Sequence, residues 1–350
     1  MDKVRFGIIG CGLIAKSHAE CIKMDKRAEF AAVCGGSSEK KARDFAKAYK
    51  VDAVYMDYKK MLKEADIDAI CVCTPSGLHG ENTVESAKAG KHVLCEKPLE
   101  IKKEKMDEMI EAARRNNVKL GVVFPNRTRA GLRKAKEILD SGELGKMTIV
   151  ECQYRGYRSP QYYKSGSWRG TWELDGGGCL MNQGIHAIDA MCWLTGEVEY
   201  VQGISGALLR DIEVEDTAMA LLEFKNGAKG VIMGTTISNI PETGPEGDRI
   251  RIECEKGSIL YADGKTTLYK RDGDNVIPIS LDKDDKEAVS SASDPANIDL
   301  EAHYFIVEDF ISSILENRVP YITGESARKC VDLVLAIYES SKKGARVKVN

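Results

Sequence analysis

The sequence lacks the features that take a chain to nucleic acid or into a membrane. Its 51 basic and 54 acidic residues nearly cancel, leaving a formal net charge of -3. That provides no field to draw the protein onto a phosphate backbone or an anionic lipid surface, and neither is an expected partner. No stretch approaches the roughly 18 uninterrupted apolar residues of a spanning helix. The start, Met1-Asp2-Lys3-Val4-Arg5-Phe6, enters an apolar strand without the basic residues, long apolar stretch and cleavage site of a secretory signal. A cytoplasmic location is therefore expected. Cysteine is not scarce, at 11 residues, but there is no CxxC pair or His–Cys cluster. Reduced, mostly buried thiols are expected and a metal site is not, even where Cys71 and Cys73 alternate on one strand. There is no internal repeat.

What the chain does carry is apolar material for two cores. At 350 residues, 43% hydrophobic and 30% charged, it exceeds the size at which one core keeps growing. From Val4 to about Phe124, short apolar runs alternate with amphipathic segments, the pattern of βα units in a parallel sheet. The strands read as Val4–Ile9, Phe30–Cys34, a weak Val54–Tyr55, Ala69–Thr74, His92–Cys95 and Leu120–Phe124. Residues 1–124 thus read as a doubly wound domain. After Pro125 the texture changes. A helix at Leu132–Asp140 and a strand from about Met147 lead into β-rich segments such as Thr217–Phe224 and Gly230–Ile237. Turns such as Asn226-Gly227 and Glu255-Lys256-Gly257 join them, which predicts an antiparallel sheet within residues 125–350. A helix from Gly178 to Leu194 interrupts that sheet. A solvated loop around Asp282–Asp294 and helices near Glu301–Glu316 and Ser326–Ser341 follow.

Gly7-Ile8-Ile9-Gly10-Cys11-Gly12-Leu13-Ile14-Ala15 ends the first strand with Gly-x-Gly-x-x-Ala and opens a helix, the context a dinucleotide-binding turn requires. Gly10 permits the tight turn, Gly12 lets the main chain approach a pyrophosphate, and small Ala15 lets helix and strand pack closely. Gly10, Cys11, Gly12, Leu13 and Ile14 are the expected cradle, with helix N-terminal amides facing the phosphates. An acid usually holds the adenosine ribose about 20 residues further on. Here the chain reads Cys34-Gly35-Gly36-Ser37-Ser38-Glu39-Lys40. Gly35 and Ser37 stand in its place, with Lys40 and Arg43 nearby, so the charge that repels a 2′-phosphate is gone. The cofactor reads as NAD or NADP, leaning to NADP.

Two loops leave the same sheet edge, Thr74-Pro75-Ser76-Gly77-Leu78-His79 after the fourth strand and Cys95-Glu96-Lys97-Pro98 after the fifth. Ligands of open parallel sheets bind outside the carboxyl ends of the strands, so Thr74, Pro75, His79, Glu96 and Lys97 are expected to border the nicotinamide. A residue before proline is held extended, which aims Lys97; a solvated surface lysine is the alternative. The third element is the stretch Leu174 to Asp189. Three glycines precede a helix on which Asn182, His186 and Asp189 fall at i, i+4 and i+7, a polar stripe in an apolar segment. His186 is a catalytic candidate beside Lys97, and Asn182 and Asp189 are substrate-binding candidates. Arg127, Tyr157, Trp168, Arg169 and Trp172 are candidates to line a sugar pocket, since aromatic faces stack on carbohydrate C–H surfaces and arginine supplies a fork of donors. Core or interface roles are the alternative for the tryptophans. His18, His92 and His303 read as structural or surface residues.

With these residues in order, the chain resembles the glucose–fructose oxidoreductase, inositol dehydrogenase and rhizopine catabolism (Gfo/Idh/MocA) family along essentially its whole length. The shared landmarks are the Gly10–Ala15 turn, the Thr74–His79 loop, Glu96-Lys97-Pro98, Asn126-Arg127, Trp168-Arg169-Gly170-Thr171, the glycine triplet with His186 and Asp189, and Gly324-Glu325-Ser326. The resemblance implies an α/β fold: an N-terminal NAD(P)-binding Rossmann domain (1–124) and a C-terminal substrate-binding domain (125–350) with a large, open, mostly antiparallel sheet. That sheet is often a dimer or tetramer surface. The resemblance also implies that Lys97 and His186 sit beside a substrate hydroxyl, in a dehydrogenase or reductase of sugars, sugar derivatives or inositol. One departure stands out. Where inositol-dehydrogenase-like members carry an Asp four residues before the histidine, this chain has Asn182, which accepts no proton. Lys97 is then the expected base, with its pKa lowered by desolvation and nicotinamide charge, and His186 the orienting group. Alternatives are a glycoside-cleaving enzyme that recycles its NAD internally and a non-catalytic, dinucleotide-binding regulator.

Overall fold

The computed structural model describes residues 3–36, 38–240, 248–282 and 300–349. Ser37 and nearly all of the loop expected around Asp282–Asp294 lie outside the described residues. The chain divides into two units, residues 1–124 with 300–328, and residues 125–299 with 329–350.

The first unit is built on six parallel strands, β1 (Val4–Ile9), β2 (Ala28–Cys34), β3 (Ala53–Tyr55), β4 (Ala69–Val72), β5 (His92–Cys95) and β6 (Leu120–Val122), in the order β3-β2-β1-β4-β5-β6. Helices α1 (Leu13–Met24), α2 (Glu39–Tyr49), α3 (Tyr58–Glu64), α4 (His79–Lys88) and α5 (Lys103–Arg115) supply the crossovers. Ile8, Ile70, Cys71 and Val72 are fully buried, as continuous apolar strands are when helices cover both faces. The order reverses between β1 and β4, which opens a crevice at their carboxyl ends.

One difference from the sequence reading concerns the helix Leu300–Leu315, which belongs with this first unit and not with the second. Its apolar face, Ile306, Val307, Phe310 and Ile311, is buried. Phe310 lies 6.4 Å from Phe6 between ring centroids, and a Cβ on Gly121 would meet the Phe310 ring at 2.8 Å. Arg27 on the sheet side donates to Glu308 and Ser312 at 2.8 and 3.0 Å. A helix so distant in sequence carries no local sign of which core it completes.

The second unit carries nine strands, β7 (Met147–Arg155), β8 (Val198–Gly206), β9 (Thr217–Phe224), β10 (Lys229–Thr235), β11 (Asp248–Cys254), β12 (Gly257–Ala262), β13 (Lys265–Asp272), β14 (Asn275–Ser280) and β15 (Val347–Lys348). Their order is β14-β13-β12-β11-β7-β10-β9-β8-β15. Every pairing is antiparallel except that of β10 with β7. Helices α6 (Ala130–Asp140), α7 (Pro160–Lys164) and α8 (Ile185–Thr195) accompany the sheet. Strand alternation divides its faces: Ala218, Ala220, Leu222 and Phe224 of β9 are buried, whereas Met219 and Leu221 between them are 43% and 62% exposed. The helix expected over Gly178–Leu194 is broken. A π-helical turn at Cys179–Gln183 precedes α8, so Asn182 is out of helical register with His186 and Asp189, and the expected single stripe does not form.

Candidate active site

In the first unit the end of β1 is shaped by glycine. Gly10 has φ +101°, and a Cβ there would lie 2.5 Å from the Cys73 carbonyl oxygen, so only glycine fits beside the β4 loop. A Cβ on Gly12 would meet nothing within 4 Å. The main chain there faces open space, as close approach by a ligand requires. Gly12 caps α1 without a side-chain hydrogen bond and the first turn holds no acid, which leaves the leading amides for an anion. These features fit a dinucleotide pyrophosphate, with Gly10, Cys11, Gly12, Leu13 and Ile14 as the residues that would hold it. Burial pushes the Cys11 thiol up to about 11, so it adds no negative charge beside a phosphate. At the end of β2, Gly35 donates to the Tyr55 carbonyl and α2 starts behind Ser38, whose side chain accepts from the Lys41 amide. Arg43 pairs with Glu39 at 2.6 Å, and Lys40 and Lys41 are exposed bases without an ion pair among the described residues.

The two remaining loops are fastened to each other. His79 is 1% exposed, with Nδ1 2.7 Å from the Pro98 carbonyl and Nε2 3.0 Å from the Thr74 carbonyl. The His79 ring is spent on tying the Thr74 loop to the Lys97-Pro98 loop. Thr74 Oγ1 donates to Asn82 Oδ1 at 2.9 Å. Glu96 is also buried. Its Oε1 lies 2.8 Å from His18 Nε2, and its Oε2 accepts from the Lys97 amide at 3.2 Å. Burial pushes the Glu96 carboxyl up, but His18, His303 and Lys97 outweigh it and hold Glu96 below the ordinary carboxylate range. Burial likewise disfavours a charged His18, yet its neighbours raise it well above the ordinary imidazole value. The Cys73 thiol, pushed up to about 11 by burial, is neutral near pH 7. Geometrically the partner of His18 is the Glu96 carboxylate, and the two form a buried imidazole–carboxylate pair beneath half-buried Lys97.

In the second unit the glycine triplet is demanded by what packs on it. A Cβ on Gly178 would sit 1.8 Å from the Glu215 carbonyl oxygen, and one on Gly177 2.3 Å from the Tyr338 hydroxyl. The Glu215 carboxylate accepts from the amides of Gly178 and Leu180 at 2.8 and 3.0 Å and from the Tyr338 hydroxyl at 2.7 Å. That brace fixes the start of the π turn. Asn182 Nδ2 donates to Asp175 Oδ1 at 2.6 Å, while Asp175 Oδ2 accepts from the Gly170 amide at 2.8 Å, so one carboxylate joins Asn182 to the Trp168-Arg169-Gly170 turn. His186 is 4% exposed on α8.

Arg127 and Asp189, both expected to meet substrate, meet each other. Arg127 Nε and Nη2 donate to the two Asp189 oxygens at 2.8 and 2.6 Å, with side chains 4% and 0% exposed. Burial pushes the Asp189 carboxyl up against the pull of Arg127. Tyr157 and Trp172 are 52% and 46% exposed, and Trp168 and Arg169 are half-buried. His18, Asp175, Glu215 and Tyr338 were not singled out as site residues from sequence. Asp175 stands beside the glycine triplet, but nothing in the chain marks the other three.

A family description, oxidoreductase family with NAD-binding Rossmann fold, matches residues 4–124, and that of the GFO/IDH/MocA C-terminal domain matches residues 132–260. The chain belongs to the Gfo/Idh/MocA oxidoreductases. Relatives of this Gfo/Idh/MocA enzyme include myo-inositol 2-dehydrogenase of Thermotoga maritima, 31% identical over 65% of this chain and 67% of that protein. The 1,5-anhydro-D-fructose reductase of Ensifer adhaerens is 25% identical over 99% of this chain and 98% of its own. A solved structure, the WlbA dehydrogenase of Bordetella pertussis in complex with NADH and UDP-GlcNAcA, is 30% identical over 99% of both chains with a TM-score of 0.84.

Proposed function

We propose that this Gfo/Idh/MocA oxidoreductase transfers a hydride between a nicotinamide dinucleotide and a hydroxyl-bearing carbon of a sugar, sugar derivative or inositol, with Lys97 moving the hydroxyl proton. The observation that carries the reading is the support beneath Lys97. Its amide is held by Glu96, Glu96 is held by His18, and the following proline is strapped to the Thr74 loop through His79. A solvated surface lysine has no use for such a foundation. The bound nicotinamide supplies the hydride acceptor. As the carbinol C–H bond breaks, neutral Lys97 Nζ takes the proton from the substrate oxygen, and a carbonyl is left. His186 orients the hydroxyl, and Asn182, its amide set by Asp175, hydrogen-bonds a neighbouring one. Arg127 and Asp189 hold α8 in place. Lys97→Ala is expected to lower kcat by about two to four orders of magnitude, with cofactor Kd nearly unchanged. The measurement is nicotinamide absorbance over a panel of polyols and aldoses, and near-normal turnover would end the assignment. Bond cleavage without net absorbance change would instead favour internal recycling of the cofactor.

Three finer points belong to the same reading. The absence of an acid at the end of β2 supports acceptance of a 2′-phosphate. Ile149, Ile204, Met219, Leu221 and Val231, all exposed on the outer face of the second sheet, support a dimer or tetramer formed through that face. Eleven cysteines with no disulfide among the described residues support a reducing, cytoplasmic location. No helix among the described residues is long and apolar enough to cross a membrane.

A further inference from the structure

Around Tyr162 the second unit gathers three guanidinium groups. The Arg169 guanidinium carbon lies 4.3 Å from the Tyr162 ring centroid and 4.6 Å from that of Trp168, and its Nη1 donates to the Tyr162 hydroxyl at 2.5 Å. Arg158 approaches the same phenol ring at 5.3 Å. Arg210 stacks on Tyr157 at 5.1 Å, and its Nε donates to the Arg158 carbonyl at 2.9 Å. Two of these cations, Arg169 and Arg210, favour something negative joining them. Among the described residues neither Arg169 nor Arg210 has a carboxylate ion pair. Three neighbouring carboxylates are engaged by other groups. Asp175 receives the Gly170 amide and the Asn182 side chain, Glu213 the Trp172 amide, and Asp216 the amides of Leu208, Leu209 and Arg210.

The same place holds polar atoms that want a ligand. Tyr154 and Gln183 are 2% and 4% exposed, and the Tyr154 hydroxyl, Gln183 Oε1 and Arg210 Nη2 are buried without a hydrogen-bond partner among the described residues. Gln183 Nε2 donates to the Tyr162 hydroxyl at 3.0 Å. That bond ties the cluster to the segment bearing Asn182 and His186. Stacking on flat rings holds each guanidinium fork in a set plane, which suits the planar or trigonal oxygens of a carboxylate or phosphate.

We propose that this cluster binds an anionic group carried by the sugar, so that the substrate is an acidic or phosphorylated sugar and not a neutral one. The proposal rests on the reading of the protein as a sugar dehydrogenase. It is tested on the full-length protein with NAD present, by calorimetric titration of D-glucuronate, D-galacturonate and D-glucose 6-phosphate against D-glucose and D-galactose, with absorbance assays in parallel. At least one acidic sugar is expected to bind about tenfold or more tightly than its neutral parent, as one charge-assisted contact supplies. The uronates and the phosphate tell which anion is taken. Arg169→Gln and Arg210→Gln, shown by circular dichroism to be folded, should bring the acidic-to-neutral ratio close to one, and Arg169→Lys should restore part of it. Equal binding of neutral and acidic sugars, a ratio untouched by these substitutions, or no binding of any sugar overturns the proposal. Neutral sugars oxidised through Lys97 without acidic preference would overturn this anion site alone, whereas no nicotinamide reduction by any sugar would overturn the dehydrogenase reading beneath it.

Discussion

Glu215 is a carboxyl at the centre of a fully buried brace, and its protonation is coupled to folding. Burial pushes it above its ordinary value of 4.5, against the pull of Tyr338 and the Leu180 and Gly178 amides. A group with a raised folded pKa contributes its stability below the unfolded value and loses it as pH rises through the folded one. The melting temperature should therefore carry a component that falls as pH rises from about 4.5. In Glu215→Gln that component should vanish, giving a flatter profile in thermal denaturation on top of a general loss from the altered hydrogen bonds. Parallel profiles for the two proteins would show that Glu215 does not titrate in this window. Lys97, His186 and Asn182 were picked out as candidates because their residue types are unusual at a strand end or in an apolar helix. Glu215 and Tyr338 were not: their meaning comes only from the amides and the glycines that fold against them.

At the scale of elements, strand ends and turns were the most legible features. Gly10 declares the β1 turn because no other residue tolerates its φ and its approach to the Cys73 carbonyl, and buried apolar runs declare β4 and β5. The π turn at Cys179–Gln183 was hidden, since apolar spacing at Leu180, Met181 and Ile185 suits an unbroken helix as well; the Glu215 brace decides between them. The hairpin of β13 and β14 was also missed. β14 is exposed throughout and so lacks the alternation that marks a strand with one face in a core. The β2 turn carries a prediction of its own. With Glu39 paired to Arg43 and no acid at the ribose position, Kd for the phosphorylated cofactor is expected to equal or undercut that for the unphosphorylated one by fluorescence titration. A strong preference for the unphosphorylated form would sink that expectation, and the Gly10–Ala15 cradle would stand unaffected.

For the whole molecule, the outer face of the second sheet is the surface through which the proposed assembly would form. Leu221 is directly across from Val231, and Met219 from Ile204, so the exposed apolar side chains form contiguous cross-strand pairs and not isolated spots. Sedimentation should find a dimer or larger species at micromolar concentration, and Leu221→Glu should reduce its mass. A monomeric wild-type protein would refute assembly through this face.

The late helix Leu300–Leu315 also has a bearing on synthesis. The sheet that cradles the dinucleotide leaves the ribosome early, yet Phe310, which closes over Phe6 and Gly121, follows most of the chain. At about 5–20 residues per second, the interval from residue 124 to residue 328 is roughly 10–40 s. During that time the nascent first unit has an uncovered apolar flank, and residues 125–299 of the second must be translated before the flank is sealed.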